Sequence, residues 1–185
     1  PMSDTQTFQP QPIAIVGVSA LFPGSVEPGG FWRDILGGND LITDIPASHW
    51  LIEDYYDPDP KAPDKTYAKR GAFLDPVPFD PLEFGIPPTI APATDTCQLL
   101  ALIVAKQVLE DACRGDFQDM DRSRVSCILG VTSAQELLGE LNSRLQRPVW
   151  VKALREQGLA ENEVQQICDR INSNYVEWQE SSFPG

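Results

Sequence analysis

A single histidine, and fourteen lysines and arginines against twenty-seven aspartates and glutamates, leave this chain short of positive charge, with a formal net charge of -13. A duplex binder neutralises phosphates with cations, so nucleic acid is excluded as an expected partner, and an anionic membrane surface is disfavoured for the same reason. No apolar run approaches the roughly 20 residues of a membrane span. The first dozen residues also lack the basic and apolar regions of a secretion signal, so the expected location is cytoplasmic. Cysteine is sparse and scattered: Cys97, Cys113, Cys127 and Cys168 show no C-x-x-C spacing, and one histidine adds little to them. No metal site is predicted, and buried free thiols are the expectation. Proline is nearly absent from the second half, where only Pro148 and Pro184 follow Pro92. That asymmetry predicts strand, turn and irregular backbone first and helix afterwards.

What is present fits one globular domain, with 42% hydrophobic and 22% charged residues. Residues 1–11 read as a tail or linker. Ile13-Ala14-Ile15-Val16 is a short apolar run broken at Gly17, the pattern of a strand buried on both faces in a layered α/β protein. Gly29-Gly30 opens a short helix whose Phe31, Trp32, Ile35 and Leu36 mark a buried face and whose end is set by Gly37-Gly38. Residues 39–92 hold too many aromatics, from Trp50 and Tyr55 to Phe79 and Phe84, to be a flexible linker. Thr96 to Ala112 is apolar on most sides and predicts a buried helix capped by Asp95 or Thr96. Arg124 to Val131 reads as a second interior strand, and strand, helix and strand in that order predict a parallel pair with a right-handed crossover. Three helices follow, marked by Leu137, Leu138, Leu141 and Leu145, by Trp150, Val151 and Leu154, and by a stripe from Val164 to Trp178. Such stripes predict core packing or a partner surface.

The opening loop supports no nucleotide motif. Gly24 is followed by Ser25 and Val26 where a P-loop needs lysine, and Gly17-Val18-Ser19 lacks the second glycine of the dinucleotide fingerprint. Lys61, Lys65, Lys69 and Arg70 are the one basic concentration, read either as a solvated loop or as a docking patch for an acidic partner.

The letters do resemble the N-terminal half of a β-ketoacyl synthase, the condensing domain of polyketide and fatty-acid synthases. Ile13 to Gly24 is similar to that family's opening strand and A-x-x-F/Y-P-G loop, and Phe31-Trp32 sits where its F-W helix begins. Pro46-Ala47-Ser48-His49-Trp50 resembles a P-x-x-R-W element with histidine in place of arginine. Arg70 to Leu74, Phe79 to Ile86 and Leu109-Glu110-Asp111-Ala112 resemble further motifs in the family's order. Tyr55 to Asp59, Asp64 to Gly71 and the segment ending at Gly185 look like the polyunsaturated-fatty-acid-synthase type and related iterative synthases. One departure is Asp95-Thr96-Cys97-Gln98-Leu99 where the family commonly has D-P-Q-Q-R, so that arginine's contacts do not carry over.

The resemblance implies an α/β fold, the N-terminal portion of a thiolase-like fold, spanning 12–185 with a helical insertion at 132–180 and incomplete as given. It implies a decarboxylative Claisen condensation in which a cysteine takes an acyl group from a phosphopantetheine arm and two histidines assist. The cysteine and histidine motifs of that reaction are not among these 185 residues. The chain alone is therefore expected to be inactive, with no catalytic residue, no metal and no directly bound cofactor. Cys97, near a helix start, is the nearest decoy for a reactive thiol. Cys127 reads as buried in a strand, Cys113 and Cys168 as helix residues without a basic partner, and His49 as a packing residue. Gly130, Val131, Thr132, Ser133 and Gln135, after the second strand, are implied to touch the acyl chain. The implied partners are an acyl carrier protein bearing the phosphopantetheine, the remainder of the domain, and a second copy in a homodimer. Two rivals stand beside this reading: a chain-length-factor-like domain without a nucleophile, and a carrier-protein interaction module.

Overall fold

The computed structural model describes residues 12–131 and 136–177, the side chain of Glu136 excepted. These residues divide into two units, one of residues 12–75 and 106–120, the other of residues 76–105, 121–131 and 136–177.

In the first unit, helix α1 (Pro28–Gly37) starts with proline in its first turn and stops at Gly38, whose φ of 63° is left-handed backbone that glycine accepts without strain. Phe31 of α1 stacks on Phe22 with ring centroids 3.8 Å apart. Strands β1 (Thr43–Asp44) and β2 (Arg70–Gly71) pair antiparallel, Thr43 with Gly71 and Asp44 with Arg70. Between them, helix α2 (Ile52–Tyr55) leads into a loop closed by a bridge between Tyr56 and Thr66. Trp50 meets Tyr55 edge-on at 5.6 Å.

The second unit opens with two single 3-10 turns, Pro81–Phe84 and Ala91–Ala93, the first braced by stacking of Phe79 on Phe84 at 5.0 Å. Ala93, Thr94 and Asp95 are buried at the foot of helix α3 (Thr96–Cys113), which Asp95 caps by accepting the Cys97 N–H at 2.9 Å. The first part of α3, to Ala105, belongs to this unit and the rest to the first. Helices α4 (Glu136–Leu145), α5 (Arg147–Glu156) and α6 (Glu161–Asn172) follow. Val164 and Cys168 of α6 are fully buried, and Leu137 of α4 is nearly so. Arg155 grips Glu161 across the α5–α6 turn through two bonds of 2.9 and 2.7 Å, and Arg147 reaches Asp169 at 2.7 Å.

Carboxylates recur in the turns. Asp40, Asp57, Asp59, Asp80, Asp95, Asp116 and Asp121 each accept the backbone N–H two residues ahead.

Neither Ile13–Val16 nor Arg124–Val131 forms a strand, and both are exposed, with Ile13 at 94% and Ile128 at 93%. A strand needs a neighbour for its N–H and C=O groups, and the strands among the described residues are only β1 and β2. The apolar face of α1 is uncovered, with Trp32 and Leu36 largely exposed, and no residue of α3 is fully buried. The last helix ends at Asn172, with Tyr175 in a turn beyond it, and Trp178 lies outside the described residues. There, the Ser173 hydroxyl and the Asn174 amide donate back to the Arg170 carbonyl, local bonds that compete with helix propagation.

The opening segment is nonetheless fixed. A Cβ on Gly17 would lie 2.6 Å from the Val108 carbonyl oxygen, so only glycine permits this approach to the end of α3. Beside it the Val18 N–H donates to Asp111 at 2.8 Å, and the Ser19 hydroxyl meets Gln107 at 2.6 Å.

Candidate functional site

In the second unit, an open cleft of about 280 Å³ is lined by Ile86, Thr94, Gln98, Ala101, Leu102, Ala105, Cys127 and Leu129. Helix α3 supplies one wall. Residues 98, 101, 102 and 105 recur at helical spacing and so share a face, and two of them are alanines whose short side chains leave room. The segment 127–129 supplies the facing wall, and Ile86, after the first 3-10 turn, joins them. The walls are hydrocarbon except for the Thr94 hydroxyl, the Gln98 amide and the Cys127 thiol. No cation or carboxylate lines the cleft, so it suits an extended aliphatic group with one polar point and does not suit a phosphate.

Of the residues predicted from sequence, Gly130 and Val131 follow directly on the cleft wall formed by Leu129, and both are exposed. Gly130 has nothing within 4 Å of a notional Cβ. Thr132, Ser133 and Gln135 lie outside the described residues. The wall residues themselves were missed by sequence reasoning; the signal that could have found them is the Gln98-x-x-Ala101-Leu102-x-x-Ala105 face, with two small residues on an otherwise bulky helix.

The decoys resolve on chemistry. Side-chain hydrogen bonding with Asp95, then burial and that residue's negative charge, hold the Cys97 thiol above its ordinary pKa, the opposite of an activated nucleophile. Cys127 is exposed at the cleft where a buried strand was expected, because its segment has no covering layer among the described residues. Cys168 is buried in α6, and Cys113 lies 3.9 Å from the Met120 sulfur. His49 packs edge-on against Phe73 at 4.9 Å, as a packing residue should. Among the described residues no cluster of histidine, cysteine or carboxylate could hold a metal, and no helix is long and apolar enough to cross a membrane.

The basic stretch of the first unit is engaged internally. Lys65 donates to the Asp54 carbonyl, Lys69 pairs with Asp44 at 3.3 Å and lies over the Tyr56 ring, and Arg70 donates to the Ile42 carbonyl at 2.6 Å. These contacts tie Lys65 to α2, and Lys69 and Arg70 to β1 and the residues before it.

Comparison with known proteins places this architecture. The chain is 32% identical over 173 residues to a polyunsaturated fatty acid synthase component from a Thraustochytrium species, a match covering 94% of this chain and 6% of that protein. It is 44% identical over 105 residues to polyketide synthase GfsB of Streptomyces halstedii, covering 55% of this chain and 2% of the other. An oxazolomycin ketosynthase domain from Streptomyces albus superposes with a TM-score of 0.51 at 37% identity, over 52% of this chain and 17% of that one. The chain thus spans a small part of each relative. A family profile described as the N-terminal domain of β-ketoacyl synthase matches residues 10–171, and the chain belongs to that family, whose fold is thiolase-like.

Proposed function

We propose that this chain forms the N-terminal scaffold of a ketosynthase in a polyketide or polyunsaturated fatty acid synthase, and that its cleft is part of the wall that receives the growing acyl chain. The observation that carries the second part is the cleft lining: aliphatic side chains from α3 and from residues 127–129, with no charge, leading directly into Gly130 and Val131. Burying each methylene of an acyl chain against such walls contributes about 0.8 kcal/mol, enough for a few carbons to set length preference. Gly130, Val131, Thr132, Ser133 and Gln135 would then continue the contact along the chain.

In the condensation the acyl group passes from a carrier thioester to a cysteine thiolate, releasing the carrier's thiol. Loss of carbon dioxide from the malonyl unit gives a carbanion that forms the new carbon–carbon bond and frees the cysteine. The nucleophile and both histidines come from outside the present 185 residues, and the phosphopantetheine arrives on an acyl carrier protein. The uncharged cleft fits the acyl end of that arm rather than its phosphate. Residues 132–180 act as a helical insertion, the whole works as a homodimer, and its place is the cytoplasm.

The test uses the full synthase. Gly130→Val puts a branched side chain into open space, and Ala101→Phe fills the cleft from α3. Each is expected to shift the preferred acyl length downward by two or more carbons in competition assays with carrier-bound substrates. Unchanged acyl preference in both variants would remove the cleft from the pocket. Turnover of acyl and malonyl thioesters by the 185-residue chain alone would overturn the assignment of the chemistry to residues outside it.

A further inference from the structure

The end of α6 is held in an unusual way. Its following segment, Ser173 to Glu177, is bound through its backbone by two side chains one turn apart on α4. Glu140 accepts the Val176 N–H at 2.7 Å, while Arg144 donates to the carbonyl oxygens of Asn172 and Tyr175 at 3.2 and 3.1 Å. The second guanidinium nitrogen of Arg144 also lies 3.7 Å from the Glu177 carboxylate. The apolar support is modest: Tyr175 stacks on Trp150 with centroids 6.5 Å apart.

An acceptor and a donor at i and i+4 on one helix face meet an N–H and two C=O groups in the facing backbone. Hydrogen bonds to ionised groups are the stronger kind, and Arg144 is three-quarters buried, which limits competition from water. The three hydrogen bonds read main chain, and the Glu177 carboxylate and the Tyr175 ring add side-chain contacts to them. This arrangement also accounts for the early stop of α6, since the Val176 N–H that would bond the Asn172 carbonyl in a continuing helix is held by Glu140.

We propose that Ser173–Glu177 is a strap clipped to α4 by Glu140 and Arg144, and that this clip sets where the chain leaves the helical layer. The strap opens by releasing the clip, without unfolding α5 and α6, whose packing on Val164 and Cys168 and whose Arg147–Asp169 and Arg155–Glu161 pairs are independent of it. Such local openings need only a fraction of the global unfolding free energy.

Amide hydrogen exchange on the intact 185-residue chain tests this, with Glu140→Ala and Arg144→Met as variants. Each is expected to speed exchange of the Val176 amide about tenfold, the loss of a charge-assisted bond, while amides inside α5 and α6 keep their wild-type rates. The double variant is expected to do little more than either single one, because each alone releases the strap. Unchanged Val176 exchange in Glu140→Ala overturns the clip. Acceleration of α6 amides in step with the strap shows that the two open together and overturns its independence.

Discussion

At the residue scale, two positions have consequences set by their immediate neighbours. Gly17 stands against backbone that has no way to yield, since the nearest atoms to its notional Cβ are the Val108 carbonyl and the amide and Cβ of Ala112. Gly17→Ala is expected to destabilise the chain by roughly 1–3 kcal/mol, read from denaturant unfolding, and to expose the Val18 amide bound to Asp111. Cys97 gives the opposite kind of forecast. With its thiol pKa raised by Asp95, it carries little thiolate at neutral pH and should alkylate with iodoacetamide more slowly than exposed Cys127, as peptide mapping over time would record. Faster labelling at Cys97 would contradict the role given to Asp95. Both residues were visible in the sequence, Gly17 as a strand breaker and Cys97 as a helix-start cysteine. Their environments were not, because each is decided by a partner that sequence periodicity does not identify.

At the scale of elements, helices were legible and strands were not. The long apolar run after Asp95 and the stripes from Leu137 onward gave α3, α4, α5 and the start of α6 to within a few residues, since a helix satisfies its own backbone, whereas the end of α6 was read at Trp178 and lies at Asn172. The strands at Ile13 and Val125 were misread at the level of this chain because a strand is a property of two segments, and pattern reports only one. The α5–α6 turn shows how charge reinforces what pattern begins. Arg155, then Gln165, hold the Glu161 carboxyl down to about 2, and Glu163 reaches back to the Ala160 N–H at 3.1 Å. A depressed carboxyl stabilises the fold above its unfolded pKa of about 4.5 and loses that contribution as pH falls toward about 2. Exchange protection in the first turn of α6 should therefore decline between about pH 4.5 and 2 in the wild type. In Arg155→Met the decline attributable to Glu161 should shrink, leaving the part due to Gln165. An identical pH profile in the two proteins would show that the pair has no energetic role.

At the scale of the whole molecule, family membership was the most legible property, because it rests on the order of many short motifs rather than on any contact. The cleft was not legible: Gly130 and Val131, named from resemblance, follow its lining in sequence without being part of it, and its α3 wall emerged only when residues 98 to 105 were seen facing 127 to 129. Large uncovered apolar groups are the molecule's other overall feature, including Ile13, Ile15 and Val16 at one place and Val125, Ile128 and Leu129 at another. Apolar surface of this kind favours association. The 185-residue chain is expected to sediment as species larger than a monomer, and Ile13→Lys with Ile128→Lys should shift it toward the monomer. A monodisperse monomer at tens of micromolar would refute that expectation.

The carboxylates that close turns at Asp40, Asp57, Asp59, Asp80, Asp95, Asp116 and Asp121 have a further implication for anyone reshaping this protein. A surplus of negative charge looks like a freely adjustable coating, the first thing to alter when tuning solubility or crystal growth. Here six of those charges double as fasteners of loop geometry, and the buried Asp95 does the same at the foot of α3. Exchange of these aspartates for lysine would change the colloid and loosen the backbone in one stroke, whereas exposed glutamates such as Glu53 and Glu156 can be altered without removing a turn fastener. Acidity and shape in this chain are written with the same residues.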